Sequence, residues 1–322
     1  MSYEYGLVGI TNASDAKVTN TLLNNFISFY DWGFLEKGGY YNMISPASGI
    51  YGVNRSALKV ASDPKYPANT VWQSSRENWV WESGINRTTP PVQISGIYKN
   101  NQFLPYSYNP TSGYYVGSGY RIDHKNGRVI FNSAIPATSV VTLNYSYKWV
   151  SVESSEGLPF IRHIQTRSFR PDEGYFTSSG NWVQLGQTRV QLPAIFIEVP
   201  KTRSYKPFQL GGGQYAETDV VFYILTENYA TCNDIQDTIS YQNDRIIQLY
   251  NLNTASKSGD LSFNYRGDLI SKTYNYPYLI DNHRFSWCRI YNTTISDSTE
   301  LSPNFYMGTV RCSTEIELTN LT

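Results

Sequence analysis

Eight consecutive residues, Asp219-Val220-Val221-Phe222-Tyr223-Ile224-Leu225-Thr226, constrain the fold of this chain more than any other feature. A continuous apolar run rich in β-branched residues has no side to offer to water, so as a strand it must be covered on both faces. Gln191-Leu192-Pro193-Ala194-Ile195-Phe196-Ile197-Glu198-Val199 has the same character and reads as its partner. A helix is expected directly afterwards, from about Asn233 to Tyr250, with Ile235, Ile239, Ile246 and Leu249 in one stripe interrupted by Gln242. Thr231 and Asp234 stand at the spacing of a capping box before it.

An earlier helix is expected from about Val18 to Tyr30. Val18, Leu22, Phe26 and Tyr30 recur every four residues, with Leu23 and Ile27 beside them. Ser14 or Asp15 is placed to cap it, and Gly33 to follow its end. The stretch 91–155 has the spacing of an antiparallel β region. Asn126-Gly127 is a strong two-residue hairpin turn, and pairing outward from it sets Ile122 opposite Phe131 and His124 opposite Val129. Asn100-Asn101 suggests a second hairpin. Val141, Leu143, Tyr145, Tyr147 and Trp149 alternate with Thr142, Asn144, Ser146 and Lys148, which predicts one dry face and one wet face. Alternation from Thr314 to Leu318 is consistent with further strands in the closing stretch.

These elements predict an α+β, β-rich fold: an antiparallel β-sandwich-like region plus an α/β core with few helices. The small, polar stretch 151–157 marks a boundary. The expected division is 1–90 as an N-terminal helix and aromatic segment, 91–155 as the β region, and 156–322 as the α/β core. No repeat of fixed period occurs.

Composition narrows the functional classes. Lys plus Arg equals Asp plus Glu at 26 each, so the chain lacks the basic field of a generic nucleic-acid binder. Charged residues are 16% and aromatic residues 15%, with 28 Tyr, which excludes a disordered chain. Low charge costs solubility for a free monomer, and tyrosine and tryptophan are enriched at interfaces. No apolar stretch is long enough to span a membrane, and residues 1–17 lack the layout of a signal peptide. Cys232, Cys288 and Cys312 have no CxxC spacing, which fits folding in a reducing cytoplasm. The Asn-x-Ser/Thr triplets at Asn54, Asn86 and Asn292 read as chance in so Asn-rich a chain.

Catalytic and cofactor patterns fail one by one. Gly211-Gly212-Gly213-Gln214-Tyr215-Ala216 matches GxGxxA, but a strand follows it where a dinucleotide site needs a helix. Gly33 and Gly38 have P-loop spacing, with Gly39 where the lysine must stand. His124, His163 and His283 are isolated, and His124 reads as structural. Cys232 at a helix start has no visible base. The acidic pairs Asp172-Glu173 and Glu153/Glu156 read as solvated loops, although glycosidase carboxylates can assemble across distant strands. Tyr106, Tyr108, Tyr114, Tyr115 and Tyr120 cluster among glycines, serines and prolines, either as packing or as a contact patch for a subunit or a carbohydrate.

The segment Leu22-Leu23-Asn24-Asn25-Phe26-Ile27-Ser28-Phe29-Tyr30-Asp31-Trp32-Gly33-Phe34-Leu35-Glu36-Lys37-Gly38-Gly39-Tyr40 resembles the N-terminus of virion neck proteins of tailed bacteriophages. Lys206-Pro207-Phe208-Gln209-Leu210-Gly211-Gly212, with the buried strand and helix after it, is similar to the core of phage tail-completion and head-to-tail connector proteins. The resemblance covers about half of the chain. It implies a connector-like α/β core that forms homo-oligomeric rings at the portal–tail junction, with 91–155 as an outward insertion. It further implies a virion protein assembled in the host cytoplasm beside portal, adaptor or tail proteins, with DNA passing the lumen without specific binding. Neither catalysis, cofactor, metal nor membrane is expected. The expected interface residues are Phe208, Leu210, Tyr114 and Tyr115. The alternatives are a tail or baseplate component and a receptor- or carbohydrate-binding module, and more remotely a glycoside hydrolase.

Overall fold

A computed structural model describes residues 18–44, 56–156, 177–178, 182–185, 188–209 and 212–318. The fold is α+β and β-rich, with four helices among the described residues: α1 (Val18–Glu36), α2 (Tyr229–Ser240), α3 (Leu252–Ser258) and α4 (Tyr276–His283). The chain divides into two compact units, each drawn from separated segments. A long-sheet unit takes Met1–Asp31, Ser151–Gly259 and Leu279–Thr322, and a barrel unit takes Trp32–Val150 and Asp260–Tyr278. No helix among the described residues is long and apolar enough to cross a membrane.

The run 219–226 lies in the strand Gly212–Thr226, at the centre of an eight-stranded sheet. On one side it pairs antiparallel with Ala194–Glu198, Ile195 opposite Ile224, as the sequence predicts. On the other it pairs along its length with Phe305–Glu317. The sheet then continues through Arg284–Ile295 to Ile246–Tyr250, and beyond Ala194–Glu198 to Ser151–Ser154 in its one parallel pairing. Both faces are covered. Phe222 stacks edge-on to Tyr30 of α1 at 5.1 Å and meets Phe26 at 6.1 Å. Tyr223 and Leu225, pointing the other way, cluster with Phe196, Phe305 and Val183. Val183 comes from the strand Trp182–Leu185 of a separate three-stranded sheet. Each such side chain, moved from water to this interior, contributes about 1.5–3 kcal/mol.

Both expected helices have shifted ends. The first runs on through Gly33 to Glu36, because its stop signal lies further along. Gly38 adopts φ +90°, its N–H bonds the carbonyl of Leu35, and the Gly39 N–H bonds that of Phe34, a Schellman closure. The second helix is capped by Asn228, whose side chain accepts from the Thr231 N–H at 2.8 Å, in place of the Thr231/Asp234 box. It ends at Ser240, and Ile246 and Leu249 belong to the edge strand Ile246–Tyr250. Asp244 at φ 59° makes the turn between them. On α2, Cys232, Ile235, Gln236 and Ile239 face the sheet. Gly308 lies under the helix, where a Cβ would come within 2.9 Å of Gln236 and Cys232 side-chain atoms.

The antiparallel region of the barrel unit also has eight strands. In spatial order they are Lys59–Val60, Val71–Gln73, Arg128–Phe131, Tyr120–Asp123, Tyr114–Gly117, Gln102–Asn109, Gly96–Lys99 and Val141–Leu143. A bridge between Ala57 and Thr142 joins the first to the last, so the sheet closes on itself and leaves no free edge. Trp72, Ile97, Tyr106, Ile122, Val129 and Leu143 help fill the interior, which suits a small barrel packed with side chains. The Asn100-Asn101 hairpin is present, both residues at positive φ.

Two expectations are corrected here. The Asn126-Gly127 turn is a four-residue loop, 124–127, so Ile122 pairs with Val129 and Tyr120 with Phe131. The Asp123 carboxylate holds the loop by accepting from the Asn126 N–H at 3.1 Å and its Nδ2 at 2.7 Å. A slip of two residues leaves every side chain on its own face, so Ile122 and Phe131 both remain inside. The alternating segment has no wet face: Thr142, Ser146 and Lys148 are as buried as their apolar neighbours. Tyr40–Met43 pairs with Tyr145–Lys148 on one side, and residues 78–80 bond its backbone on the other. Its polar groups find partners within. Ser146 Oγ donates to Asn42 and accepts from the Val92 N–H, and Lys148 Nζ meets Glu82 Oε1 at 2.5 Å.

Candidate functional site

The barrel unit carries an open, polar cleft of about 450 Å³. The strands Tyr114–Gly117 and Tyr120–Asp123 form its floor, joined by a tight turn. The turn needs glycine twice. Gly119 sits at φ 81°, and a Cβ on Gly117 would fall 2.1 Å from the Tyr120 ring. Tyr120 is buried, its hydroxyl donates to the Leu104 carbonyl at 2.9 Å, and burial pushes its pKa well up. It is therefore a structural floor rather than an acid.

Arg121 lines the cleft and is fixed from several directions. Its Nη2 donates to the Tyr66 hydroxyl at 2.5 Å, and its Nη1 reaches the Arg266 carbonyl at 3.2 Å and Asp268 Oδ1 at 3.4 Å. The guanidinium also lies 5.7 Å from the Tyr66 ring centre. Asp268 and Arg266 belong to a short loop closed by Asn264, whose Oδ1 accepts from the N–H groups of both. Asn264 Nδ2 in turn donates to Asp268 Oδ2 at 3.1 Å, and Gly267 turns the loop at φ 79°. This loop holds Tyr265 in solvent, 89% exposed, with the Arg266 guanidinium 5.3 Å from its ring centre.

Of the residues expected at an interface, Tyr114 lines this cleft. Tyr115, next along the strand, points away: it packs on Tyr106 and Tyr108 at 5.7 Å, with Lys272 Nζ 5.1 Å from its ring. Phe208 lies in the strand Arg203–Gln209 of the other unit, and Leu210 lies outside the described residues. The tyrosine cluster thus separates by role. Tyr106 and Tyr120 are barrel interior, Tyr108 is half exposed, and Tyr114 faces the cleft. Tyr66, Arg121, Arg266 and Asp268 were not singled out in the sequence. The Asn264–Asp268 turn, with its Gly267 and its flanking Tyr and Arg, is the signal that could have drawn attention to two of them.

Among the described residues, the histidines and the cysteines are buried. His124 is fully buried, and burial together with the charges of Lys272 and Lys148 pulls its pKa down to about 3, so it is neutral. His283 is buried at the end of α4, and His163, Asp172 and Glu173 lie outside the described residues. Cys232 is buried, which pushes its thiol pKa up, opposite to what a nucleophile needs. Among the described residues, no group of His, Cys, Asp and Glu is placed to hold a metal ion. No family model, curated protein or solved structure matches this chain.

Proposed function

We propose that this chain is a structural protein of a tailed-bacteriophage virion, assembling with copies of itself into a ring at the neck. Portal, adaptor or tail proteins are its neighbours in that reading, and DNA passes the lumen without specific binding. The virion placement rests on the resemblance of residues 22–40 and 206–212 to neck and connector proteins. The ring rests on one structural observation, the hairpin of Arg203–Gln209 with Gly212–Thr226.

Ser204, Tyr205, Lys206 and Pro207 are all exposed, Tyr205 by 52%, and no strand pairs with their outer edge among the described residues. An edge of this kind is a natural place for another chain to dock. Pro207 offers no N–H, and Lys206 is tied to Glu217 at 2.6 Å, which suppresses indiscriminate strand addition. Docking through side chains such as Tyr205 is left, as suits a ring whose closure depends on one fixed angle. A near-neutral chain also has few charges to strand at such a contact.

Native mass by light scattering, with negative-stain images of the same sample, tests this reading. The expected result is a closed ring of about six or twelve copies, formed alone or on purified portal. Tyr205→Ser with Phe208→Ser is expected to leave a folded monomer. A stable trimer, or a monomer that stays monomeric with portal present, overturns the ring.

A further inference from the structure

We propose that the cleft lined by Tyr66, Tyr114 and Arg121 is a saccharide-binding site. This goes beyond the ring reading and does not depend on it. A sugar ring presents apolar C–H faces and a rim of hydroxyls. It therefore calls for aromatic surfaces beside planar groups that donate or accept paired hydrogen bonds. The cleft supplies both: tyrosine walls, the Arg121 guanidinium, the Asn132 amide and the Asp268 carboxylate. Its size falls within the range of small-ligand sites, but its lining is more polar than such sites usually are, which suits a polyhydroxylated ligand over an apolar one.

The site is also pre-organised. Tyr66, the Arg266 carbonyl and Asp268 hold Arg121, and the Asn264 side chain holds the 264–268 loop, so little ordering remains to be done on binding. Tyr265 stands out of that fixed loop almost wholly in water. A rigidly mounted, exposed tyrosine gives large contact area at small entropic cost. The charge balance fits as well. Asp268 offsets Arg121, which leaves Arg266 as the surplus cation, too little for a phosphate cradle and compatible with neutral or mildly acidic sugars.

The test uses the full chain with neutral hexose, N-acetylhexosamine and uronate-containing oligosaccharides, read by calorimetry and saturation-transfer NMR, with sulfate as the anion control. At least one oligosaccharide is expected to bind with a dissociation constant on the order of 10 μM to 1 mM. Tyr114→Ala and Arg266→Ala should each weaken it about tenfold or more, a loss of about 1.4 kcal/mol. Tyr241→Ala, on an exposed residue of the other unit, should leave it unchanged. Arg266 is exposed on its loop, so that variant reports even where Tyr114→Ala fails to fold. Absence of binding by any oligosaccharide, binding in both cleft variants as tight as in the parent chain, or displacement by sulfate overturns the proposal. Native mass measured on the same variants keeps loss of sugar binding separate from loss of the ring.

Discussion

In the long-sheet unit the interior around Phe222 is mostly aliphatic, with Val220, Ile224, Ile235 and Ile239 all nearly unexposed. The barrel interior sets a nearly equal share of aromatic side chains, Trp72, Trp79, Tyr106, Tyr120 and Tyr145 among them, beside its aliphatic ones. The second kind of core carries polar atoms inward, and most of them have partners. The Tyr145 hydroxyl meets Ser74 at 2.7 Å, Trp79 Nε1 donates to the Arg76 carbonyl at 3.0 Å, and Lys148 meets Glu82. An aliphatic core is sensitive to volume, and an aromatic, polar one is sensitive to hydrogen-bond completeness. The two units should therefore fail in different ways.

The largest effect is expected for Ile239→Asp, which sets a carboxylate without a partner beneath α2. Hydrogen-exchange protection should vanish from Gly212–Thr226 and Phe305–Glu317, whereas Ile239→Val should cost only about 0.5–1.5 kcal/mol. An unchanged melting transition in Ile239→Asp contradicts the placement of that helix. Next comes Glu82→Ala, which takes the Glu82 carboxylate away from the buried Lys148 ammonium and should cost about 3–5 kcal/mol. Replacing both partners, Glu82→Met with Lys148→Met, should recover most of that in denaturant titrations. Equal losses in the single and double variants would break the contrast between the units.

A third variant probes polar satisfaction inside the aliphatic unit. Asn25 of α1, fully buried, donates to the Tyr250 carbonyl at 3.0 Å and accepts from its N–H at 2.9 Å, so it caps the edge strand as a neighbouring strand would. Asn25→Ala should cost about 2 kcal/mol by chemical denaturation, because both backbone groups lose their partner. A cost near zero would mean that water takes over the edge. The last effect is one of pH, absent near neutrality and growing only as acid is added. His124 has its folded pKa pulled down to about 3, below its unfolded value of 6.5. Between those values the unfolded chain binds the proton and the folded chain does not, so stability falls as pH drops through that window and is full above it. The slope should approach about 1.4 kcal/mol per pH unit, and His124→Gln should remove it. A slope that survives the substitution assigns the titration elsewhere.

The same contrast explains what could be read from the sequence. The run 219–226, its partner 191–199 and the Asn100-Asn101 turn are local patterns, and each appears where the pattern puts it. Helix ends were misjudged where one glycine or one cap competes with another, as Gly38 does with Gly33 and Asn228 with Thr231. The alternation of 141–149 gave the strand but not its surroundings. Whether the polar face is wet depends on residues such as Glu82 and Asn42, far away in the chain. The cleft was legible only at Tyr114 and Tyr120. Arg121 and Asp268 are 147 residues apart, and no spacing rule joins them.

The barrel unit takes its last piece from Asp260–Tyr278, where Leu269 accepts from the Tyr115 N–H and Lys272 from the Ser83 N–H. During synthesis, residues 32–150 are thus complete well before the segment that finishes their unit has been made. At about 5–20 residues per second, that interval lasts on the order of 6–25 s. For that time all eight barrel strands exist, but Arg266 and Asp268 of the cleft do not. In this chain the order of translation, as much as the final packing, sets when the cleft can come into existence.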